Sequence, residues 1–275
     1  MRALISADME GATGVTCPDD CRPGSPQWDR FRTFLTGDVN AVATGFFDAG
    51  VDEVIVTEAH ASMRNILLED LDPRVRMLTG KHKTYAMLEG IQAHPELVGF
   101  VGYHSGPSTP GILSHTFLGS ELTAVTLNGR IMSEGYLNAL LAAEYGAKLV
   151  LVSGDDLTCA DARDYAPAAR CVAVKEAVDR HTALCLTPTA TAALLGDAAR
   201  SAVAGAEVGP LPAPPYACEV EFLATNSAAA AALVPCVEQS GARTVGFTFD
   251  TVAELYRCFT VVTRIGKAAA EPVYG

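Results

Sequence analysis

The stretch RALISA (2–7), which runs into Asp8, and the stretch EVIVT (53–57), which precedes Glu58-Ala59-His60, decide the reading of this sequence. Both are short, continuous apolar runs, the pattern of strands buried on both faces of a sheet. A loop rich in Gly, Pro and Asp leaves the first run, from Gly11 to Gly24. Ser25 is then placed to cap a helix running to about Asp48. In that segment Phe31, Phe34, Leu35, Val39, Val42 and Phe46 recur at helical spacing, and Gly50 is the stop. Strand, helix, strand makes one βαβ unit, which calls for parallel strands and a right-handed crossover.

The alternation continues outward from this unit. The pattern predicts a short strand over 75–78, a helix over 81–91 and a strand over LVGFVGY (97–103). A hairpin over 121–133 turns at Asn128-Gly129. A helix over 134–145 is closed by Gly146. The strand KLVLVS (148–153) leads through SGDD (153–156) into another helix. The fold class is therefore α/β, a three-layer α/β/α arrangement with a mostly parallel sheet. After about residue 186 the character changes. An Ala-rich helix over 188–205 and a Pro-rich connector, GPLPAPP (209–215), precede two alternating, half-exposed strands, YACEVEF (216–222) and TVGFTF (244–249). A last helix from about 251 ends in a polar tail. Two units are expected: a larger α/β domain over 1–186 and a smaller C-terminal α/β lobe over 187–275.

Composition narrows the function classes. The chain has 275 residues, 49% of them hydrophobic, enough to fill a large core. The net charge of -12 and the lack of a dense Lys/Arg run argue against a nucleic-acid partner. No apolar run of about 18 residues free of charge reads as a membrane span. The apolar part of MRALISADME is too short for a signal peptide and is interrupted by Asp8, so a cytoplasmic protein is expected. Of eight cysteines only Cys17 and Cys21 are close in sequence, and no second pair completes a Cys-type zinc site. Free buried thiols are expected, with Cys17 and Cys21 set apart by their polar loop.

The chemistry-bearing residues fall at strand ends. Asp8 and Glu10 lie just past the first strand, His60 past the second and His104 past LVGFVGY. In open parallel sheets, ligands bind outside the carboxyl ends of the strands. A lone Asp there is ordinarily a turn or a cap, and a lone His a hydrogen-bonded structural residue. Successive strand ends delivering two carboxylates and two imidazoles to one edge point instead to a divalent ion such as Zn²⁺. So many groups exceed the needs of one catalytic ion, and two ions sharing a carboxylate, best Asp8, is the alternative. Spacing alone says less about His115, in PGILSHT (110–116), and Glu134, which opens a helix where a carboxylate also suits the helix dipole. Asp155 and Asp156 fit helix caps at least as well as a site. His82, His94 and His181 match no strand end.

Seven segments carry a family resemblance: SADMEG (6–11), EAH (58–60), GYH (102–104), PGILSHT (110–116), SEGYLNA (133–139), SGDD (153–156) and Val174-Lys175. In this order they resemble the D-aminopeptidase family of the DppA type, the M55 metallopeptidases, over about residues 1–190 and more loosely beyond. The resemblance implies a dinuclear zinc aminopeptidase acting on short peptides with an N-terminal D-residue, of the D-Ala type. By it, Asp8 bridges two zinc ions, Glu10, His60, His104 and Glu134 complete the ligands, and His115 is the catalytic histidine, moving a proton or stabilising the oxyanion. It also implies a ring-shaped, self-compartmentalising homo-oligomer, a decamer. Glu58-Ala59 replaces the family's frequent Asp-Ser, which bears on the orientation of His60. Two other readings use the same ligand types. A dinuclear phosphoesterase needs cations for phosphate, and the loops near these residues carry few. A non-catalytic peptide- or metal-binding protein needs no His115.

Overall fold

The computed structural model describes residues 1–270. β1 (Arg2–Ala7) leads through the short helix α1 (Pro18–Cys21) into α2 (Pro26–Asp48) and β2 (Glu53–Glu58). The Ser25 hydroxyl accepts from the Trp28 amide, capping α2 as the sequence predicts, and Gly50 follows its end at φ 86°. β1 and β2 pair in parallel, Ala3 opposite Val54 and Ala7 opposite Glu58. β3 (Arg76–Leu78) pairs with β2 on its outer side, and β4 (Leu97–Val101) pairs with β1 on the other. A hairpin of β5 (Leu122–Leu127) and β6 (Arg130–Ile131) turns at Asn128-Gly129. α3 (Glu134–Glu144), β7 (Lys148–Asp155) and α4 (Asp156–Tyr165) follow. β8 (Arg170–Asp179) adds in parallel to β7, and β9 (Thr182–Cys185) returns antiparallel to it. The remainder is α5 (Pro188–Ala202), β10 (Tyr216–Phe222), α6 (Thr225–Ala231), β11 (Glu238–Gln239), β12 (Thr244–Phe249) and α7 (Val252–Ala269).

Two sheets result. The first has the order β3-β2-β1-β4-β7-β8-β9 and is parallel except at β9. Its strands alternate between two cores. Leu4, Val98, Phe100 and Val152 enter one, while Ala3, Ile5, Val54 and Leu151 enter the other. The second core is closed by Leu35, Val39, Val42 and Phe46 of α2, with Leu195 and Ala199 of α5. α2 and α5 cross closely at Gly45, where a Cβ would lie 2.4 Å from the Gly196 carbonyl oxygen. The opposite core is closed by α3 and by the second sheet with its helices, through Tyr256, Phe259 and Val262 of α7. This is the expected three-layer α/β/α architecture.

The second sheet is antiparallel, in the order β11-β12-β10-β5-β6. Along β10, Tyr216, Cys218, Val220 and Phe222 are buried and Ala217 and Glu219 exposed, so the alternation read from YACEVEF is a one-faced strand. The chain does not divide between the sheets at residue 186. The hairpin β5–β6, early in the chain, pairs with β10, and α5, late in the chain, packs on α2. Pairing and burial place these elements, and neither is bound to chain order.

Several segments differ from their expected structure: α1 lies within the expected loop 11–24, and α6 and β11 arise where no element was read. Residues 81–91 form short 3₁₀ turns at Ala86–Leu88 and Ile91–Ala93 in place of a helix. Gly80 and Gly90 bracket the segment at φ 88° and 102°, and the buried Lys83 ammonium holds it to main-chain carbonyls of Glu58 and Leu78. Residues 170–185, given no element from sequence, form β8 and β9. The polar tail expected after the last helix lies, in its final five residues, outside the described residues. Among the described residues, no helix is long and apolar enough to cross a membrane.

Candidate metal centre

The carboxyl ends of β1, β2 and β4 lie side by side because those strands are neighbours in the sheet. The loop after β1 folds back over β4. The Asp8 amide donates to the Val101 carbonyl at 2.8 Å and the Gly11 amide to the Gly102 carbonyl at 2.8 Å. Gly102 sits at φ 71°, and a Cβ there would meet the Asp8 carbonyl oxygen at 2.2 Å, so this approach requires glycine. The Lys175 ammonium, wholly buried, donates to the main-chain oxygens of Glu10, Ala12 and Val15 at 2.7, 2.9 and 2.6 Å. Three acceptors use all three of its protons. A strand late in the chain thus fixes the loop that carries Glu10.

Asp8, Glu10, His60, His104 and Glu134 converge and are all buried. His60 Nε2 lies 3.3 Å from Glu10 Oε1. His104 Nε2 lies 3.6 Å from Asp8 Oδ2 and 3.3 Å from Glu134 Oε1. His115 joins the group: its Nε2 is 3.9 Å from Glu10 Oε1 and 3.8 Å from Glu134 Oε1, and its ring stacks on His104 at 4.2 Å. Glu134 is the first residue of α3, where the Ser133 hydroxyl caps the helix, and Glu134 Oε1 also accepts from the Phe117 amide at 2.5 Å. That contact ties the loop carrying His115 to the centre.

The network assigns the tautomers. Nδ1–H of His104 donates to the Ser105 carbonyl at 3.0 Å, and that of His115 to the Leu113 carbonyl at 2.8 Å. Nδ1–H of His60 donates to Asn65 Oδ1 at 3.3 Å. The Asn65 amide cannot turn round. Its Nδ2 donates to Glu58 Oε2 and to the His60 carbonyl, and its Oδ1 also accepts from Trp28 Nε1. All three imidazoles therefore turn Nε2 to the carboxylate cluster, and on His60 and His104 an ion would take the place of the Nε2 proton. Glu58 does not enter the cluster; its Oε1 accepts the Asn65 and Ile66 amides and shapes the loop after His60. Asn65 and Trp28 were not singled out from sequence, because neither stands at a strand end.

The electrostatics are those of a centre short of positive charge. Burial, then Glu10 and Glu134, push Asp8 well above the usual carboxylate range. Burial disfavours charge on the histidines, yet Glu10 raises His60 to about 9, and Glu134 raises His104 to about 10. His115 is lowered, by burial and by His104. Asp8 Oδ2, Glu10 Oε2 and His104 Nε2 are buried without a hydrogen-bond partner. Unpaired buried polar atoms cost about 1–3 kcal/mol each, and three at one point mark a missing partner. Their donor types, carboxylate oxygen and oriented imidazole nitrogen, fit a divalent ion. Three groupings could hold an ion: Asp8-His104-Glu134, Glu10-Cys21-His60, and Glu10-His104-His115, which shares Glu10 with the second and His104 with the first.

Asp155 takes the structural part open to it from sequence. It caps α4 by accepting from Thr158, and it accepts the Ile112 amide at 2.7 Å, anchoring the His115 loop.

The D-aminopeptidase family of M55 peptidases matches this chain over residues 1–261. The chain belongs to the M55 D-aminopeptidase family. Within that family it is 31% identical over 270 residues to the D-aminopeptidase of Bacillus subtilis (strain 168), covering 96% of this chain and 97% of the relative. It superposes with a TM-score of 0.93, at 28% identity, on the solved structure of the Zn-dependent D-aminopeptidase DppA from Bacillus subtilis, described as a self-compartmentalizing protease. That similarity covers 99% of this chain and all of the other. M55 membership and the three-layer fold thus agree with the expectations drawn from the seven segments.

Proposed function

We propose that the protein is a zinc-dependent aminopeptidase that removes N-terminal D-residues, of the D-Ala type, from short peptides. The observation that carries this reading is the convergence of Asp8, Glu10, His60, His104 and Glu134, with three unpartnered donor atoms, at the strand ends of an M55 fold. Glu10 and His60 would hold one zinc ion and His104 and Glu134 a second, with Asp8 serving both. When bound, such ions polarise the scissile carbonyl and bring a water toward ionisation.

The remaining chemistry belongs to the chain. His115 is the least buried of the cluster, with a side-chain exposure of 19%, so it faces the side from which a peptide arrives. With Nδ1 donating to Leu113, its Nε2 is a free base, and its lowered pKa keeps it so near neutrality. In that state it accepts a proton from the attacking water as the new carbon–oxygen bond forms and gives it to the amine nitrogen as the carbon–nitrogen bond breaks. The stacked His104 ring and the Asp155–Ile112 contact hold it for this transfer. Subunits assemble as a ring, a decamer, so that the sites face an inner chamber; the self-compartmentalizing relative supports this.

Hydrolysis of a dipeptide library with defined N-terminal stereochemistry tests the reading. Zinc-loaded protein is expected to release D-Ala from D-Ala-containing peptides and to lose this activity on chelation. Full activity after verified ion removal, or turnover of a phosphate ester without peptide cleavage, overturns it.

A further inference from the structure

Cys21 is the chemically capable side chain at this centre that the proposed reaction leaves unused. It ends the four-residue helix α1, whose turn is fixed by Pro18 at its start and by Asp20, which accepts from the Thr16 and Cys17 amides at 2.8 and 3.0 Å. The loop leading to it is tied down by Lys175 through Ala12 and Val15. The thiol is buried, and its Sγ, a Glu10 carboxylate oxygen and a His60 ring nitrogen lie within 4.8 Å of one another.

Two further observations point to a ligand at this spot. Glu10 Oε2 is buried with no partner, on a side chain only 9% exposed. His60, pinned through Nδ1 by Asn65, turns Nε2 to Glu10. Carboxylate, imidazole and thiol are all zinc donors, with bonds of about 2.0–2.3 Å. Such bonds put donor atoms roughly 3.5 Å apart, so a contraction of about an ångström closes this group on an ion. Burial and Glu10 keep the free thiol neutral, well above its ordinary range, with Lys175 opposing.

We propose that Cys21 is a thiolate ligand of the ion held by Glu10 and His60, which gives one of the two positions a soft sulfur donor. The inference rests on the metal-centre reading above. As the sulfur–metal bond forms, the S–H bond breaks and its proton passes to solvent; no electron is transferred. A sulfur donor shifts that position toward soft, thiophilic ions.

Cobalt(II), added to chelator-stripped full-length protein, is the probe. Wild type is expected to show visible d–d bands together with a thiolate-to-cobalt charge-transfer band in the near ultraviolet. Cys21→Ser, close in size, keeps the visible bands and loses the ultraviolet one. Cys21→Ala, with folding checked by circular dichroism, repeats the loss with no donor at all. The same ultraviolet band in wild type and both variants overturns the assignment, as does its absence from all three, while the metal centre stands. A wild type that takes up no cobalt overturns the metal-centre reading itself, and the Cys21 assignment with it.

Discussion

His60 and His104 present the same ring nitrogen, Nε2, to the same cluster but are braced by different means. His104 donates Nδ1–H to the carbonyl of Ser105, its own neighbour, and His115 does the same with Leu113. A main-chain acceptor persists through substitution. His60 instead donates to the side chain of Asn65, which is held by Glu58 and Trp28. One side of the centre is oriented by backbone, the other by a relay of side chains. Partners of this kind fix the tautomer and the ring direction of a ligating imidazole, so the His60 side carries more of its precision in residues away from the ions.

Substitutions test this contrast. The largest effect is expected from His104→Ala, which removes a ligand: hydrolysis is lost, and elemental analysis finds fewer ions per chain than in wild type. His115→Ala keeps its full ion content while kcat falls by about 10²–10⁴-fold, the usual contribution of a proton-transfer group. Asn65→Ala frees His60 Nδ1 and weakens one ion by about 10- to 100-fold in a chelator competition, leaving the other unchanged. Equal weakening of both ions would erase the distinction between the two sides. Trp28→Phe removes one donor to Asn65 Oδ1 and costs about 1 kcal/mol of orientation, a several-fold drop in affinity for the same ion. Ser105→Ala is the control. Its Oγ has no hydrogen-bond partner and its carbonyl remains, so ion affinity and kcat stay at wild-type levels.

The two regions of the sheet architecture were not equally legible. Runs such as RALISA and KLVLVS are buried on both faces, and an unbroken apolar stretch announces that state directly. The segment 81–91 shows apolar Ala86, Met87, Leu88 and Ile91 at near-helical intervals, yet it serves a buried lysine and two left-handed glycines. Apolar spacing reports burial, and burial does not require a helix. β8 was hidden by its mixed pattern, exposed at Arg170, half-buried through Cys171–Ala173 and deeply buried only at Val174 and Lys175.

The α/β class, the strand ends that carry Asp8, Glu10, His60 and His104, and the M55 resemblance of the seven segments were all legible along the chain. They were so because strand burial and strand-end chemistry are written in local order. The folded arrangement was needed to reveal that Glu58, set in place of the family's frequent Asp, acts through Asn65 on His60. Only it joined Lys175 to the Glu10 loop across 165 positions and set Cys21 beside Glu10. Those relations depend on which strands become neighbours and which loops fold back over them, and pairings between distant segments leave no local pattern in a single chain.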